Sequence, residues 1–170
     1  MSGVSLWYER QFEFAFPADL YPNLCIRLRG TPARLEELVR NCPRSIMTSK
    51  EEKKWSAQEH VGHLLDLEPL WLKRLEDFVD GRGELSTADL SNRKTFEANH
   101  NGRAIENILS DFRKSRMLFI ARAAVVDAAL YSRVLMHPRL QRPMRLVDHL
   151  FFVAEHDDHH LASVWGLIYR

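Results

Sequence analysis

The chain has 170 residues, a length that suits one domain and is too short to divide comfortably into two hydrophobic cores. Its composition, 45% hydrophobic and 28% charged with 7 Gly and 7 Pro, excludes disordered, collagen-like and disulfide-scaffold chains. The 24 Lys and Arg residues nearly balance the 23 Asp and Glu residues, so the net charge of +1 gives no electrostatic reason to expect a nucleic-acid partner. We therefore expect a single domain over residues 1–170.

The number and spacing of the cysteines and the pattern of the first ten residues indicate the cellular compartment. Cys25 and Cys42 form no CxxC pair and are too few for a disulfide framework, although a disulfide between them stays an alternative. The first ten residues lack the basic-then-apolar pattern of a secretory signal, and no window approaches the run of about 18 apolar residues that spans a bilayer. We expect a cytoplasmic protein with no membrane partner.

The first predicted helix contains a break. Apolar residues at helical spacing predict helix over Leu20–Arg29 and Pro32–Asn41, on either side of Gly30-Thr31-Pro32. Gly30 suits a left-handed C-cap, Thr31 suits an N-cap, and Pro32 suits the first helical position. We expect one long helix with a kink or a short restart at this point.

The second predicted helix begins at a capping box, Ser56-Ala-Gln-Glu59, and ends at Asp80-Gly-Arg-Gly83. The polar, breaker-rich stretch from Gly81 to Asn99 that follows is much longer than the roughly 2 to 8 residues that usually join antiparallel helices. Its length favours a crossover that makes the second and third helices parallel.

The third predicted helix runs from Asn101 to about Ala124. Its basic residues Arg113, Lys114 and Arg116 are interpreted as a face exposed to solvent, because the cluster is too short to indicate nucleic-acid binding. A second long connection follows, from Asp127 to Gln141.

The fourth predicted helix can start at Pro143 and runs to the C-terminus. Apart from Phe12, Phe14 and Phe16, no useful stretch shows the period-2 alternation of a strand. Four long helices predict an all-α fold, a four-helix bundle.

The fourth predicted helix carries several of the 8 histidines. His156 and His160 differ by only about 40° around the helix and share its apolar stripe, so both should face inward. Two imidazoles at i and i+4 are typical of half a metal site, because the spacing lets two nitrogens reach one ion at about 2.0–2.1 Å. His159 points to the other side and stays an alternative to His160.

The second predicted helix offers a third ligand. His63 is preferred because it lies in the apolar part of the helix and follows Gly62, which allows close backbone approach. His60 lies near the capping box and is expected closer to solvent. The pattern predicts a metal site at His63, His156 and His160; the alternative is core or surface histidines with ordinary hydrogen-bond partners.

Two segments resemble the signature segments of the DinB-like superfamily, also called the DinB/YfiT family: Trp55-Ser-Ala-Gln-Glu-His-Val-Gly-His63-Leu-Leu-Asp66 and His156-Asp-Asp-His-His160. In that family, a metal-ligand histidine stands eight residues after a Trp-Ser/Thr start of helix 2, and the position falls on His63. An HxxxH pair in helix 4 falls on His156 and His160. The resemblance covers roughly residues 10–170.

The resemblance implies a four-helix bundle of up-down-down-up topology, a zinc or nickel ion in a cleft, and a homodimer. Three imidazoles leave a coordination position for water or substrate. Characterised relatives include mycothiol-dependent maleylpyruvate isomerase and bacillithiol S-transferases, so we expect an enzyme that activates a small thiol or water. Candidate outer-sphere groups are Asp66, Asp157, Asp158 and His159.

Two competing interpretations stay open. The ion could mainly tie the second helix to the fourth in a non-catalytic metal-binding or stress-related interaction module. Alternatively, the site has decayed and the domain acts only through its fold or dimer interface. Separately, the aromatic N-terminal residues, from Trp7 to Phe16, are expected to pack over one end of the bundle or against a second subunit.

Overall fold

The computed structural model of the chain describes residues 4–51 and 54–169. Its helices are α1 (Tyr21–Val39), α2 (Arg44–Met47), α3 (Ala57–Asp80), α4 (Arg93–Glu97), α5 (Ile105–Ala124) and α6 (Leu146–Ile168), and its strands are β1 (Val134–His137) and β2 (Arg142–Arg145). The four long helices α1, α3, α5 and α6 pack into a bundle, which confirms the predicted fold class. None of the helices in these ranges combines the length and apolar character needed to cross a membrane.

The capping box at the start of α3 is present as predicted. The hydroxyl of Ser56 accepts a hydrogen bond from the Glu59 amide at 3.1 Å, and the Ser56 amide donates to the Glu59 carboxylate at 2.8 Å. At the other end, Gly81 has a φ of 71°, the left-handed conformation that ends the helix. Local sequence signals therefore determine both ends of this helix.

Helix α1 passes through Gly30-Thr31-Pro32 as one long helix, as expected, and of the two alternatives at this point, a kink or a short restart, the restart is wrong. Pro32 has no amide hydrogen to give to the carbonyl of Leu28, four residues earlier. The guanidinium of Arg116, on α5, donates to that carbonyl instead, at 3.1 Å. The helix continues because a partner from another helix occupies the acceptor that proline leaves free.

Arg116 is fully buried, and the interpretation that it faces solvent is wrong. It pairs with Glu68 of α3 at 2.6 Å and with Asp157 of α6 at 2.5 Å, in addition to its bond with Leu28 of α1. The hydroxyl of Thr31, also on α1, donates to Asp157 at 2.6 Å. One guanidinium thus contacts all three of the other long helices.

The contacts between the long helices also give their relative directions. They are Glu68–Arg116 and Glu76–Arg122 for α3 with α5, Arg27–Glu155 and Arg34–Asp158 for α1 with α6, and Leu28–Arg116 and Glu36–Arg113 for α1 with α5. Residue numbers rise together in the first two pairs of helices, which are parallel, and run oppositely in the third. The long helices therefore run up, down, down and up along the chain.

Two element boundaries differ from the prediction. Helix α6 starts at Leu146, because Pro143 lies in β2, where it is the partner of Met136 in an antiparallel hairpin. Each strand has only four residues, too few for a period-2 pattern to stand out. Helix α5 starts at Ile105, later than the predicted Asn101, which lies in a 3-10 turn.

The aromatic N-terminal residues pack on the bundle of their own chain, against α6. The rings of Trp7 and Phe12 each lie 5.1 Å from the ring of Phe152 on α6. Phe16 lies 5.1 Å from the ring of Phe151. The N-terminal segment therefore covers one side of α6.

Replacing Arg116 by Met should lower the free energy of unfolding by about 3–5 kcal/mol, because the buried carboxylates of Glu68 and Asp157 lose their counter-charge. Urea unfolding followed by circular dichroism measures the loss. The matched control is Arg113→Met, which removes a partly exposed pair with Glu36 and should cost only about 0–1 kcal/mol. Equal losses in the two variants would contradict this account of the network.

Candidate metal centre

The structure brings together the three histidines that periodicity selected. His63 lies on α3, and His156 and His160 lie one turn apart on α6. All three are buried, and one ring nitrogen of each lies within 4.8 Å of the others. The Nε2 atoms of His156 and His160 are 3.2 Å apart.

This three-histidine cluster fits a divalent cation in both spacing and charge. Two nitrogens bound to one tetrahedral zinc ion are separated by about 3.4 Å, close to the Nε2–Nε2 distance of 3.2 Å. Burial lowers the pKa of His63 to about 3 and holds the pKa values of His156 and His160 well below the usual range. All three rings are therefore neutral at pH 7, the form that binds metals.

A hydrogen-bonded chain orients the ring of His63. Its Nδ1 lies 3.0 Å from the hydroxyl of Thr95 on α4, and that hydroxyl also bonds to the carboxylate of Asp66. A carboxylate only accepts, so Thr95 donates to Asp66 and accepts from Nδ1–H of His63. This leaves Nε2 of His63 with a free lone pair on the side of the cluster. Asp66, a predicted outer-sphere group, thus reaches His63 through Thr95.

His160 is oriented by His60, a residue expected closer to solvent. The Nδ1 atoms of the two rings are 2.8 Å apart. Because Nε2 of His160 faces His156, the proton of His160 belongs on Nδ1, from which it is donated to His60. Burial lowers the pKa of His60 to about 4, so this ring too is neutral at pH 7. His60 lies one turn before His63 on α3, and this spacing could have identified it from the sequence as part of the site.

The remaining outer-sphere candidates have other partners. Asp157 accepts hydrogen bonds from Arg116 and Thr31, on the side of α6 that faces α1 and α5. Asp158 forms surface ion pairs with arginines of α1. The ring of His159 lies 5.0 Å from that of His160 and is half-buried at the wall of the neighbouring cavity. Asp157 therefore stabilises the packing of α6 and does not touch an imidazole.

The cluster opens onto a cavity of about 1150 Å³. Aromatic side chains form much of its wall: Trp7, Trp55, Trp71, Phe96, Phe152 and Trp165. Cys25 and Cys42 are free thiols, and neither lines the cavity. Neither cysteine of the chain can therefore act as the nucleophile at this site.

Comparison with known proteins places this bundle in a family. The sequence profile of the DinB superfamily matches residues 27–164, and the chain belongs to that superfamily. Among solved structures, it is similar to YfiT from Bacillus subtilis, described as a probable metal-dependent hydrolase with an unusual four-helix bundle topology. The TM-score is 0.79 over 94% of this chain and 91% of that chain, at 17% identity, which shows a shared fold. No curated protein matches the chain.

The buried histidines predict that the metal-free protein loses stability in mild acid. The pKa values of His63 and His137 are lowered to about 3, and burial also lowers those of His149, His156 and His160. Below about pH 6.5 the unfolded chain binds protons that the folded state rejects, so each group removes up to about 1.4 kcal/mol per pH unit.

Urea unfolding in the presence of a chelator at pH 7.5, 6.5 and 5.5 measures this effect. We expect a measurable drop in the midpoint between pH 7.5 and 6.5, where each of these histidines becomes about half protonated in the unfolded chain, and a larger drop between pH 6.5 and 5.5. An unchanged midpoint at pH 5.5 would show that the histidines are not buried as neutral rings.

Proposed function

We propose that this protein is a metal-dependent enzyme that acts on a small molecule bound in the cavity beside His63, His156 and His160. The observation that carries the proposal is the convergence of three buried, neutral imidazoles at the wall of a large aromatic cavity. Nitrogen ligands of this kind suit zinc or nickel. When bound, such a cation supplies Lewis acidity, which polarises a substrate or lowers the pKa of water or a thiol.

The side chains around the cluster support an open site. In residues 4–51 and 54–169, the group of converging ligand atoms contains only the three histidines, with no carboxylate or thiol to complete a closed tetrahedral set. Thr95 and His60 hold the rings of His63 and His160 so that the free lone pairs face one point. Aromatic side chains form much of the cavity wall beside that point.

Hydrolysis and thiol transfer are the two reactions that this arrangement supports. Neither cysteine lines the cavity, so a thiol nucleophile would be a low-molecular-weight thiol from solution; in hydrolysis the nucleophile is water. The description of YfiT as a probable metal-dependent hydrolase supports hydrolysis. The resemblance to thiol-dependent enzymes supports transfer to a small thiol, in a transferase or isomerase.

Replacing His63 by Ala should remove both bound metal and activity, because two imidazoles of one helix remain without the ligand from α3. Protein incubated with zinc or nickel and then dialysed is measured by elemental analysis, with about one ion per chain expected for the native protein. Activity is measured with a panel of esters and amides, and with small thiols plus electrophiles.

The control is His159→Ala, which removes a cavity-wall histidine outside the cluster and should retain the metal. Unchanged metal content in His63→Ala would show that the site is elsewhere. If chelation lowers the melting temperature while no substrate in either panel is turned over, the enzyme proposal fails and the non-catalytic module is correct.

The hydroxyl of Thr95 gives a second prediction. Thr95→Val keeps the shape of the side chain but removes the group that links His63 to Asp66, so zinc affinity should fall by about 10–100-fold. Competition with a chromophoric chelator measures the affinity. Thr87→Val, at another threonine of the same connection that lines the cavity, is the control and should leave it unchanged. Equal affinity in the two variants would contradict the orienting role of Thr95.

A further inference from the structure

The cavity extends past the three-histidine cluster to a pair of arginines, Arg74 and Arg139. The ring of Trp71 lies between the two regions, 5.6 Å from the ring of His156 and 5.5 Å from the guanidinium carbon of Arg74. One aromatic side chain therefore separates the candidate metal centre from a region of positive charge in the same cavity.

Arg74 is only 2% exposed, yet no carboxylate lies at hydrogen-bonding distance from it in the described part of the chain. Its Nε donates to the carbonyl of Ser86 at 2.9 Å. Its Nη1 lies 3.3 Å from Nε2 of His137, but Nδ1 of that ring accepts from the Leu140 amide, so the neutral ring carries its proton on Nε2 and does not accept from Arg74. The carboxylate whose charge acts on it, Asp77, accepts a hydrogen bond from the Ser86 amide at 2.6 Å, and its ion-pair contact is with Arg82. Buried arginines normally have a carboxylate at bonding distance.

The guanidinium of Arg139 has a hydrogen-bond donor group without an acceptor. Its Nη2 is buried and has no hydrogen-bond partner in the described part of the chain. The guanidinium lies 5.7 Å from the ring of Phe152 and 5.7 Å from that of Tyr8, so two aromatic rings hold it in place. An unpartnered buried donor on a charged group is rare in proteins and points to a missing acceptor.

The electrostatics agree with a missing anion. Burial and the charge of Arg139 lower the pKa of Arg74 to about 10, against the opposing effect of Asp77. Burial and both arginines lower the pKa of His137 to about 3, so this ring adds no charge at pH 7. Two guanidinium groups therefore carry positive charge beside an aromatic cavity. Planar guanidiniums recognise oxyanions through paired hydrogen bonds.

We propose that the cavity binds an organic oxyanion, a carboxylate or a phosphate ester, with its anionic group between Arg74 and Arg139 and its apolar body against Trp71 and Phe152. A molecule in this position extends towards the three-histidine cluster. The assignment deepens the proposed function and rests on it for the reaction, whereas the binding itself needs no metal.

The test compares three probes that share a phenylalkyl body and differ in the end group, on metal-free protein by isothermal titration calorimetry: 4-phenylbutyrate, 4-phenylbutyl phosphate and the neutral 4-phenylbutyramide. We expect at least one anion to bind about 10-fold or more tightly than the amide, because charge-assisted hydrogen bonds are lost with the amide. The anion that binds better identifies the carboxylate or the phosphate as the preferred group. Equal affinities for all three probes, or no saturable binding of either anion, would overturn the proposal.

Arg139→Gln gives the second arm, since this half-buried arginine can be replaced with less risk to folding than Arg74. It should weaken anion binding by about 10-fold or more and leave the amide unaffected, with partial recovery in Arg139→Lys. Arg113→Gln, at a surface arginine paired with Glu36, is the control and should bind all probes as the native protein does. Native anion affinity in Arg139→Gln would count against the site.

The same titration separates this proposal from the proposed function. His63→Ala protein that holds no metal should still bind the anion, because the arginines are intact. If no metal binds to the native protein while the anion binds, the proposed function fails and the oxyanion site stands. If metal and activity are confirmed but the probes do not discriminate charge, the oxyanion site fails alone.

Discussion

The position of Arg116 at the centre of the bundle constrains the rest of the structure. A buried guanidinium without counter-charge would cost several kcal/mol, so α3 and α6 must approach α5 at the depth where Glu68 and Asp157 meet it. Asp157 directly follows His156, and Glu68 lies little more than one turn after His63. The alignment that pairs these charges is therefore the alignment that brings the histidines of α3 and α6 together.

The same guanidinium explains why α1 tolerates a proline. Local rules assign Gly30-Thr31-Pro32 to the end of one helix and the start of another, because Pro32 deprives Leu28 of its helical donor. Arg116 replaces that donor from a different helix. A local preference is thus overridden by a tertiary hydrogen bond, which no pattern within α1 could reveal.

Features that depend on residues close together in the sequence could be predicted, whereas features that depend on contacts between distant segments could not. The ends of α3 depend on groups within four residues of each other, and the inward positions of His63, His156 and His160 depend on helical period alone, so both could be predicted. Thr95 could not, because it lies in a connection whose path depends on contacts with α3. The burial of Arg116 could not be predicted either, because within the sequence a buried arginine in a basic cluster has the same pattern as a solvent-exposed one.

Burial has opposite consequences at the two regions of the cavity. An imidazole titrates near neutral pH, so burial removes its proton and turns His63, His156 and His160 into neutral ligands. A guanidinium holds its proton even when its pKa falls to about 10, so burial leaves Arg74 charged. One low-dielectric cavity thus creates a donor set for a cation and a fixed positive charge for an anion. With Trp71 between them, a ligand must carry its charge and its reacting group at different ends to use both.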